Sequence, residues 1–250
     1  MGEILSYRRF LKTYKTRGYR INHLESYKHF FPIKTSPLLA GIVADLIGDG
    51  HLQEDPKWRI DFTSKSINEL KNFEKRINIL FNIKGRIRIN KSNIYGKTYN
   101  LAINCSPITR ILYLCGVPPG QKVLTYFDIP SWIKNEKECF REFCRRLFTC
   151  EASIMSEKNR KIPQIRFEMW KSKNLINNSK KFMNNIKKLL KIYFNINSSV
   201  IIQKKENIRK DAIITKPIRL YIFGESVIRF YNKIGFDNEK QKTLKALIST

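Results

Sequence analysis

The chain has few of the residues that build metal centres or disulfide frameworks. Its 250 residues include five cysteines and three histidines. The cysteines show no CxxC spacing and their number is odd, which argues against a zinc site and against paired disulfides. The histidines, at positions 23, 29 and 51, are too scattered for a histidine-based metal site. We therefore interpret the cysteines as reduced core thiols of an intracellular protein.

Long apolar runs are also missing. No segment reaches the ~18 apolar residues that a membrane-spanning helix requires, and the N-terminus lacks the hydrophobic core of a signal peptide. These absences predict an intracellular location, either cytoplasmic or within an organelle. A hydrophobic content of 42% is nevertheless enough to build the core of one large domain or two small ones.

The acids are the scarce charged class. Asp and Glu number 21 against 48 Lys and Arg, which gives a formal net charge of +27. The basic residues are dispersed along the chain, so the folded surface itself should be positive and attract a polyanion. Nucleic acid is the first interpretation, and a ribosomal or chromatin-coating protein is a competing one. A membrane-surface role is disfavoured because no segment joins a lysine face to a long apolar face.

Residues 36–50 carry the pattern of a helix that is packed on two sides. Ser36 is a helix-capping residue, and Pro37 suits the first turn that follows it. Gly50 is expected to stop the helix. Between them a bulky stripe and a small stripe recur at helical spacing, and the small stripe invites close approach by a second helix. The bulky positions are Leu39, Ile42, Val43, Leu46 and Ile47, and the small ones are Ala40, Ala44 and Gly48.

The order helix, two strands, helix, two strands, helix occurs twice along the chain. Four pairs of matching positions lie 102, 106, 113 and 119 residues apart, and the steady growth of this offset indicates a tandem duplication. The pairs are Asp49 with Glu151, Lys65 with Lys171, Phe81 with Phe194, and Gly116 with Gly235. We predict a basic N-terminal arm over 1–36, a first half over 37–116, a linker over 117–136 and a second half over 137–250.

Each copy places one carboxylate at the C-terminal end of its first helix: Asp49 in IGDG and Glu151 in TCEAS. The helix macrodipole is negative at this end and disfavours an anion there. A bound divalent cation would favour the acid. If the two helices pack side by side, the carboxylates form an oxygen-ligand site for Mg²⁺. Such sites activate water and stabilise the leaving oxygen of a phosphodiester.

The segments LAGIVADLIGDG (39–50) and FCRRLFTCEAS (143–153) resemble the two motifs of single-chain LAGLIDADG homing endonucleases. The order αββαββα of each half, the IPSWI segment and the terminal IGF are similar to the archaeal type of that family. The resemblance implies an α+β fold of two pseudo-symmetric halves, each an antiparallel saddle-shaped sheet, with the motif helices packed at the interface. It also implies a monomer that cuts both strands of a long, specific double-stranded DNA target.

The resemblance implies roles for individual residues as well. Each half supplies a catalytic acid to the metal site together with the residue before it, and a lysine of its second strand that lies near the scissile phosphates. Mg²⁺ is the expected metal, Mn²⁺ is expected to substitute for it, and Ca²⁺ is expected to support binding without cleavage. These positions are Asp49, Gly48 and Lys65 in the first half, and Glu151, Cys150 and Lys171 in the second.

The second motif departs from the family pattern at two positions. Arg146 stands where the first motif has Ala44, and Ala152 stands where it has Gly50. A long Arg at a close helix contact must bend out of the seam or pair with an acid. Ala152 lacks the freedom of glycine for a left-handed turn. Both departures suggest a weakened second active site, so a nicking enzyme or a non-cleaving binder is a further possibility.

DNA reading is expected to fall to the strands, which carry side chains that pair with base edges in the major groove. Alternation places Arg86, Arg88 and Asn90 on the groove face, and Ile87 and Ile89 on the core face. The candidate DNA-binding residues are Lys57, Arg59, Arg86, Arg88, Asn90, Lys97, Asn100, Gln164, Arg166, Gln203 and Lys205.

Two other functions fit the same scaffold: an RNA-binding maturase that assists the folding of its intron, and a DNA-binding regulator that has lost cleavage. Retention of both acids favours the nuclease, because a pure binder gains nothing from two anions that face phosphate. No intein splicing residues flank the domain, so we expect an intron-encoded or free-standing origin.

Overall fold

A computed structural model of the protein describes residues 2–14, 22–90, 96–156 and 162–249. The chain forms two units, residues 1–120 and 121–250. The boundary falls inside the segment that the sequence analysis assigned to the linker. Within the described residues, no helix is both long enough and apolar enough to cross a membrane.

The first unit follows the predicted element order after an N-terminal segment of its own. Its sheet has the order β3-β4-β6-β5, and all neighbouring strands are antiparallel. The elements are β1 (Glu3–Leu5), α1 (Tyr7–Leu11), a 3₁₀ helix (His23–Phe30), β2 (Ile33–Lys34), α2 (Pro37–Ile47), β3 (Gly50–Gln53), β4 (Arg59–Ser64), α3 (Ile67–Phe81), β5 (Arg86–Asn90), β6 (Thr98–Ile103) and α4 (Ser106–Leu114).

Helix α2 begins as its sequence predicts. The side chain of Ser36 accepts the backbone N–H of Leu39 at 3.2 Å, and Pro37 occupies the first turn. Every residue from Leu39 to Ile47 is buried. Both the bulky stripe and the small stripe are therefore enclosed, which confirms a helix that is packed on two sides.

The second unit repeats the same topology. Its four main strands have the order β7-β8-β11-β9, which matches β3-β4-β6-β5 of the first unit. A short strand, β10, pairs with the other end of β11, and the last helix was not predicted. The elements are α5 (Ser131–Lys134), α6 (Lys137–Glu151), β7 (Ala152–Met155), β8 (Gln164–Ser172), a 3₁₀ helix (Lys173–Leu175), α7 (Ile176–Phe194), β9 (Ser198–Ile202), β10 (Asn207–Ile208), β11 (Ile214–Ile222), α8 (Glu225–Lys233) and α9 (Glu239–Ile248).

Backbone geometry supports the duplication independently of the sequence match. Helix α3 ends at Asn82 with φ 48°, and helix α7 ends at Asn195 with φ 55°, both in the left-handed conformation of a helix C-cap. In the sheets, Gly50 pairs with Phe62 and Ala152 pairs with Phe167. The mixed fold with two antiparallel sheets is thus as predicted. The packing of α2 against α6 stays a prediction.

The N-terminal segment is not the appended arm that we expected. Strand β1 pairs with β2, and Phe10 and Leu24 are buried in the core of the first unit. The guanidinium of Arg110 lies between the rings of Tyr14 and Trp58, at 4.3 and 4.1 Å from their centroids. This packing of aromatic and apolar side chains makes the described part of 1–36 a folded portion of the first unit.

The segment expected to be a linker is also packed. In the first unit, the N–H of Gly120 donates to the carbonyl of Leu52 at 2.8 Å. In the second unit, the carbonyl of Val123 accepts the N–H of Ser172 at 3.0 Å, and Phe127 and Ile133 are buried. Each part of the segment therefore packs within its own unit. The expected linker contains apolar residues such as Phe127 and Ile133 among its polar ones, and these side chains are buried.

Candidate functional site

Asp49 lies at the exposed end of a buried helix. Helix α2 ends at Ile47, and Gly48 caps it by donating its N–H to the carbonyl of Ala44 at 2.8 Å. Gly48 and Gly50 are buried, whereas Asp49 between them is exposed. The sequence therefore presents one carboxylate to solvent at the point where the helix turns into strand β3.

Gly50 is required here by close approach and not by a left-handed turn. A Cβ at this position would lie 2.6 Å from Cδ2 and 2.7 Å from Cα of Leu46. The backbone of β3 thus crosses directly over the last turn of α2. The expectation that Gly50 serves a left-handed turn, and that Ala152 is impaired for want of one, was wrong: Ala152 adopts extended backbone with φ −92°.

The other acid of the first motif, Asp45, has a different role that the sequence analysis missed. Asp45 is fully buried, and Arg76 of α3 donates to its carboxylate from Nη2 at 2.7 Å and from Nε at 3.2 Å. A buried carboxylate is stable only when it is paired in this way. The pair joins α2 to α3 and leaves Asp49 as the exposed acid of the motif.

Glu151 occupies the corresponding place in the second unit with a different backbone. It is the last residue of α6 and is half-buried, and Ala152 after it begins strand β7. Cys150, before it, is also half-buried. Because Gly50 and Ala152 pair with Phe62 and Phe167 at the same point of the two sheets, the two acids are equivalent in register.

Arg146 pairs with an acid, which is one of the two outcomes that its sequence position allows. Its Nη1 donates to Oδ2 of Asp237, and its side chain is 4% exposed. The neighbouring Arg145 donates from Nε to the carbonyl of Ile234 at 2.8 Å. The hydroxyl of Thr149 accepts the N–H of Asp237 at 3.0 Å. Helix α6 is thereby tied to the turn that follows α8.

The match between Lys65 and Lys171 is wrong by one residue. Counting along each strand from the paired residues Phe62 and Phe167, the counterpart of Lys65 is Trp170. A shift of one residue in a strand moves the side chain to the opposite face of the sheet. Lys65 is exposed just beyond β4, whereas Lys171 is 1% exposed and shares the inner face with Phe167.

The buried amine of Lys171 holds the segment before α5. It donates to the carbonyl oxygens of Lys122 and Thr125, and it lies 3.9 Å from the ring centroid of Phe127. Burial, with a smaller effect of the charge on Lys122, lowers the pKa of Lys171 from 10.5 to about 7. Its contacts with the peptide backbone give Lys171 a structural role in place of the expected phosphate contact.

The outer face of the first sheet gathers several of the predicted DNA-binding residues. Arg88, Asn100 and Thr63 lie in one register row, and the amide of Asn100 donates to the hydroxyl of Thr63 at 3.1 Å. Arg86 and Arg88 are exposed on this face. Arg59 donates from Nε to Asp61 at 2.8 Å on the same face, an acid that the sequence analysis did not consider.

Four other residues predicted for this sheet have different outcomes. Ile89, expected in the core, is 52% exposed, because β5 is the edge strand. Lys57 is exposed but lies in the turn before β4, and Lys97 is exposed just before β6. The side chain of Asn90 lies outside the described residues.

The outer face of the second sheet contains a row of Ser153, Arg166 and Tyr221. Beside it, Arg219 forms an ion pair with Glu168. Gln164 lies on the same face of β8 as Arg166 and Glu168, and each of the three is half-buried. Tyr221 and Arg219 were missed, although their alternation with buried Leu220 and Ile222 was available in the sequence. Gln203 and Lys205 follow β9, half-buried and exposed respectively.

A preformed metal cage is absent from the part of the chain that the structure describes: no three His, Cys, Asp or Glu side chains gather there. The local donor set on each unit is one carboxylate and the neighbouring backbone carbonyls. Such a set suits a hard cation that keeps water and takes further oxygen ligands from a substrate phosphate, as Mg²⁺ does.

Part of the chain matches a known family model. Residues 138–235 match a LAGLIDADG-like domain. The match begins at the second residue of α6 and ends just beyond α8, so it covers the αββαββα core of the second unit. That core includes Glu151 and the strands of the outer face.

Two curated relatives from archaea match most of the chain. They are a replication factor C small subunit of Methanocaldococcus jannaschii, 28% identical over 212 residues, and a tRNA-splicing ligase RtcB of Methanopyrus kandleri, 26% identical over 222 residues. The matches cover 81% and 84% of this chain, but only 11% and 22% of those proteins. The chain therefore corresponds to a small part of each.

Three solved structures share the fold. The DNA-bound homing endonuclease I-WcaI has a TM-score of 0.55 at 13% identity, covering 94% of this chain and 95% of that one. Mesophilic variants of the homing endonuclease I-DmoI give 0.54 at 17% identity, covering 84% and 97%. The N-terminal LAGLIDADG domain of WhiA gives 0.52 at 15% identity, covering 87% and 91%. At these identities the likeness concerns the fold.

Proposed function

We propose that the protein is a single-chain, two-motif LAGLIDADG endonuclease of the archaeal type. It acts as a monomer inside the cell, binds a long, specific double-stranded DNA site and hydrolyses one phosphodiester bond in each strand. The observation that carries the proposal is the equivalence of the two acids. Asp49 follows the capped end of the first helix of its repeat and Glu151 is the last residue of the equivalent helix, and each comes directly before a residue that pairs with the second strand at the same register.

A divalent cation, with Mg²⁺ as the first choice and Mn²⁺ as a substitute, fits the donors around these acids. In the first unit the carboxylate of Asp49 and the carbonyl of Gly48 would hold such a cation, and in the second unit the carboxylate of Glu151 and the carbonyl of Cys150 would do so, with water and DNA phosphate as the remaining ligands. When bound, the cation supplies an activated water and charge stabilisation for the leaving oxygen. Lys65, exposed beyond β4, is available to contact a phosphate.

The outer faces of the two sheets are proposed to contact the DNA. Arg86 and Arg88 in the first unit and Arg166 in the second carry the donors that guanine accepts in the major groove. The DNA-bound state of the similar endonuclease I-WcaI supports this use of the fold. The excess positive charge of the chain supplies sequence-independent attraction to phosphate.

Cleavage of a plasmid library with varied inserts tests the proposal and identifies the target in the same experiment. With Mg²⁺ we expect linear products that share one insert sequence. Asp49→Asn and Glu151→Gln should each stop linearisation, because each acid serves one strand. Both variants should still bind the recovered site in Ca²⁺. Glu54→Gln, an exposed acid away from the helix end, is the control and should cut normally.

The outcomes separate the competing functions. Nicking of a single strand by the wild-type protein would mean that one acid is inactive. Binding of a discrete DNA site without cutting in Mg²⁺ or Mn²⁺ would replace the nuclease with a DNA-binding regulator, a possibility that the fold of the WhiA domain keeps open. Preference for a folded intron RNA over every DNA insert would favour the maturase.

A further inference from the structure

Helix α7 carries a row of lysines on the side that faces away from its sheet. Five of its apolar residues, Phe182, Met183, Ile186, Leu190 and Phe194, are buried, and this side packs on the sheet of the second unit. All five lysines of the helix are exposed, and the helix contains no acid. We call this surface the α7 lysine face; it consists of Lys180, Lys181, Lys187, Lys188 and Lys191.

The fold does not require this charge. Helix α3 has the equivalent position in the first unit, ends in the same left-handed cap, and balances its three basic residues with Glu69 and Glu74. In α7, Lys187 and Lys188 lie one turn from Lys191, and like charges at this spacing repel each other and destabilise a helix. Within the described ranges, none of the five lysines pairs with a carboxylate; Lys191 contacts the amide oxygen of Asn195.

We propose that the α7 lysine face binds the backbone of a second segment of duplex DNA while the outer face of the sheet holds the first segment. This inference rests on DNA binding by the outer face, as proposed above. In the second unit the two surfaces lie on opposite sides of one sheet, since α7 covers the inner face and Arg166 lies on the outer one. A straight duplex cannot reach both sides of the sheet.

The chemistry of the face fits phosphate and not base edges. Lysine ammonium groups act as mobile point charges without the planar fork that reads a base. Helix α7, with 19 residues, is about 28 Å long and can follow a duplex that carries one charge per ~1.7 Å. Neighbouring segments of a long DNA molecule are the polyanion with the highest local concentration once the outer face is occupied.

A bound protein could then pass from one segment to another without a free intermediate. The lysine face would capture a second segment before the outer face releases the first. This route would speed the search for a rare site on long DNA and would give no advantage on a short fragment.

A two-step capture assay tests the proposal. Biotinylated duplex on beads is loaded with protein in Ca²⁺, washed, and exposed to a labelled second duplex. We expect wild-type protein to retain the labelled duplex. The variant Lys187→Gln with Lys191→Gln should retain it roughly tenfold less, since two phosphate contacts are lost. The control, Lys71→Gln with Lys75→Gln on α3, removes the same charge at the same spacing and should behave as wild type.

Each outcome decides the matter. If both double variants lose the labelled duplex equally, bulk charge explains capture and the proposal is wrong. It is also wrong if wild-type protein retains none, or if it retains a labelled RNA hairpin but no DNA. Failure at the first step, the loading of protein onto the beads, is a separate result that concerns the outer face. The variant Arg86→Gln with Arg88→Gln should not bind the bead-bound duplex at all. The midpoint temperature of thermal unfolding should not fall in the Lys187→Gln, Lys191→Gln variant, because the substitutions remove repulsion between lysines.

Discussion

Arg146 and Asp237 form an ion pair in which the two partners differ sharply in burial: the Arg side chain is 4% exposed and the Asp side chain 45%. In the first unit the corresponding helix position is Ala44, which is fully buried. The pair places a long cation in a position built for a small side chain, and the carboxylate at the turn after α8 compensates its charge. Substituting Asp237, the more exposed partner, therefore tests how far the buried guanidinium of Arg146 depends on the ion pair.

Asp237→Ala should lower the free energy of unfolding by about 2 kcal/mol, because the buried guanidinium of Arg146 loses its charged acceptor. Urea denaturation measures the change. Lys242→Ala breaks an ion pair with Glu239 in the same region, and both of its partners are about four-fifths exposed. That control should change stability by less than ~0.5 kcal/mol. Equal effects of the two variants would show that Arg146 does not depend on Asp237.

Gly50→Ala should destabilise the first unit by about 1–3 kcal/mol, because the new Cβ would meet the backbone of Leu46 as well as its side chain. The shift would also move Asp49, so cleavage should fall more than DNA binding does. Gly2→Ala, where a Cβ would meet Thr35 at an ordinary 3.9 Å, is the control. Adding Leu46→Ala should not restore stability. A full rescue would place the clash in the side chain alone.

Lys171→Met should make the stability difference from wild type depend on pH. The pKa of Lys171 is lowered from 10.5 to about 7, so between these values the unfolded chain binds a proton at this amine and the folded protein does not. The stability of the wild type, relative to the variant, should rise with pH across that window and stay level below it. Chemical denaturation at several pH values measures this. Lys65→Met, in an exposed position, is the control, and parallel curves for both variants would contradict the prediction.

Arg88→Gln should weaken binding to the recognised site by about 1–3 kcal/mol and relax the preference for one base pair. Its row with Asn100 and Thr63 places it on the outer face of the first sheet. Titrations at several salt concentrations distinguish the type of contact. A base contact leaves the salt slope nearly unchanged, whereas a phosphate contact reduces it by ~1. Lys75→Gln on α3 should alter neither quantity.

The sequence was sufficient for features that depend on local chemistry and periodicity. The start of α2 at Ser36 and Pro37 and its two buried stripes follow from patterns within a few turns of chain, and the duplication follows from the offsets between similar segments. The exposure of Asp49 also agrees with its position after the last helical turn. Such features do not depend on which helix or strand packs against which other element.

Features that depend on register and on the third dimension were harder to predict. Lys65 and Lys171 each precede a serine near the end of the second strand, but a single-residue slip in the strand places Lys171 on the inner face. Asp45 and Arg76 are 31 positions apart, and only the packing of two helices shows that they pair. Phe10 is buried against the rings of Tyr7, Tyr14 and Phe31, and the last of these lies 21 positions along the chain.

The outer faces of the two sheets have diverged while their backbones have not. Counted from Phe62 and Phe167, the row of Arg88, Asn100 and Thr63 corresponds to Ile201, Arg219 and Glu168 in the second sheet. If each face reads one half-site, the recognised DNA is not a palindrome. The protein would then bind in one polarity, and inverting one half-site would abolish recognition even though every base pair is retained.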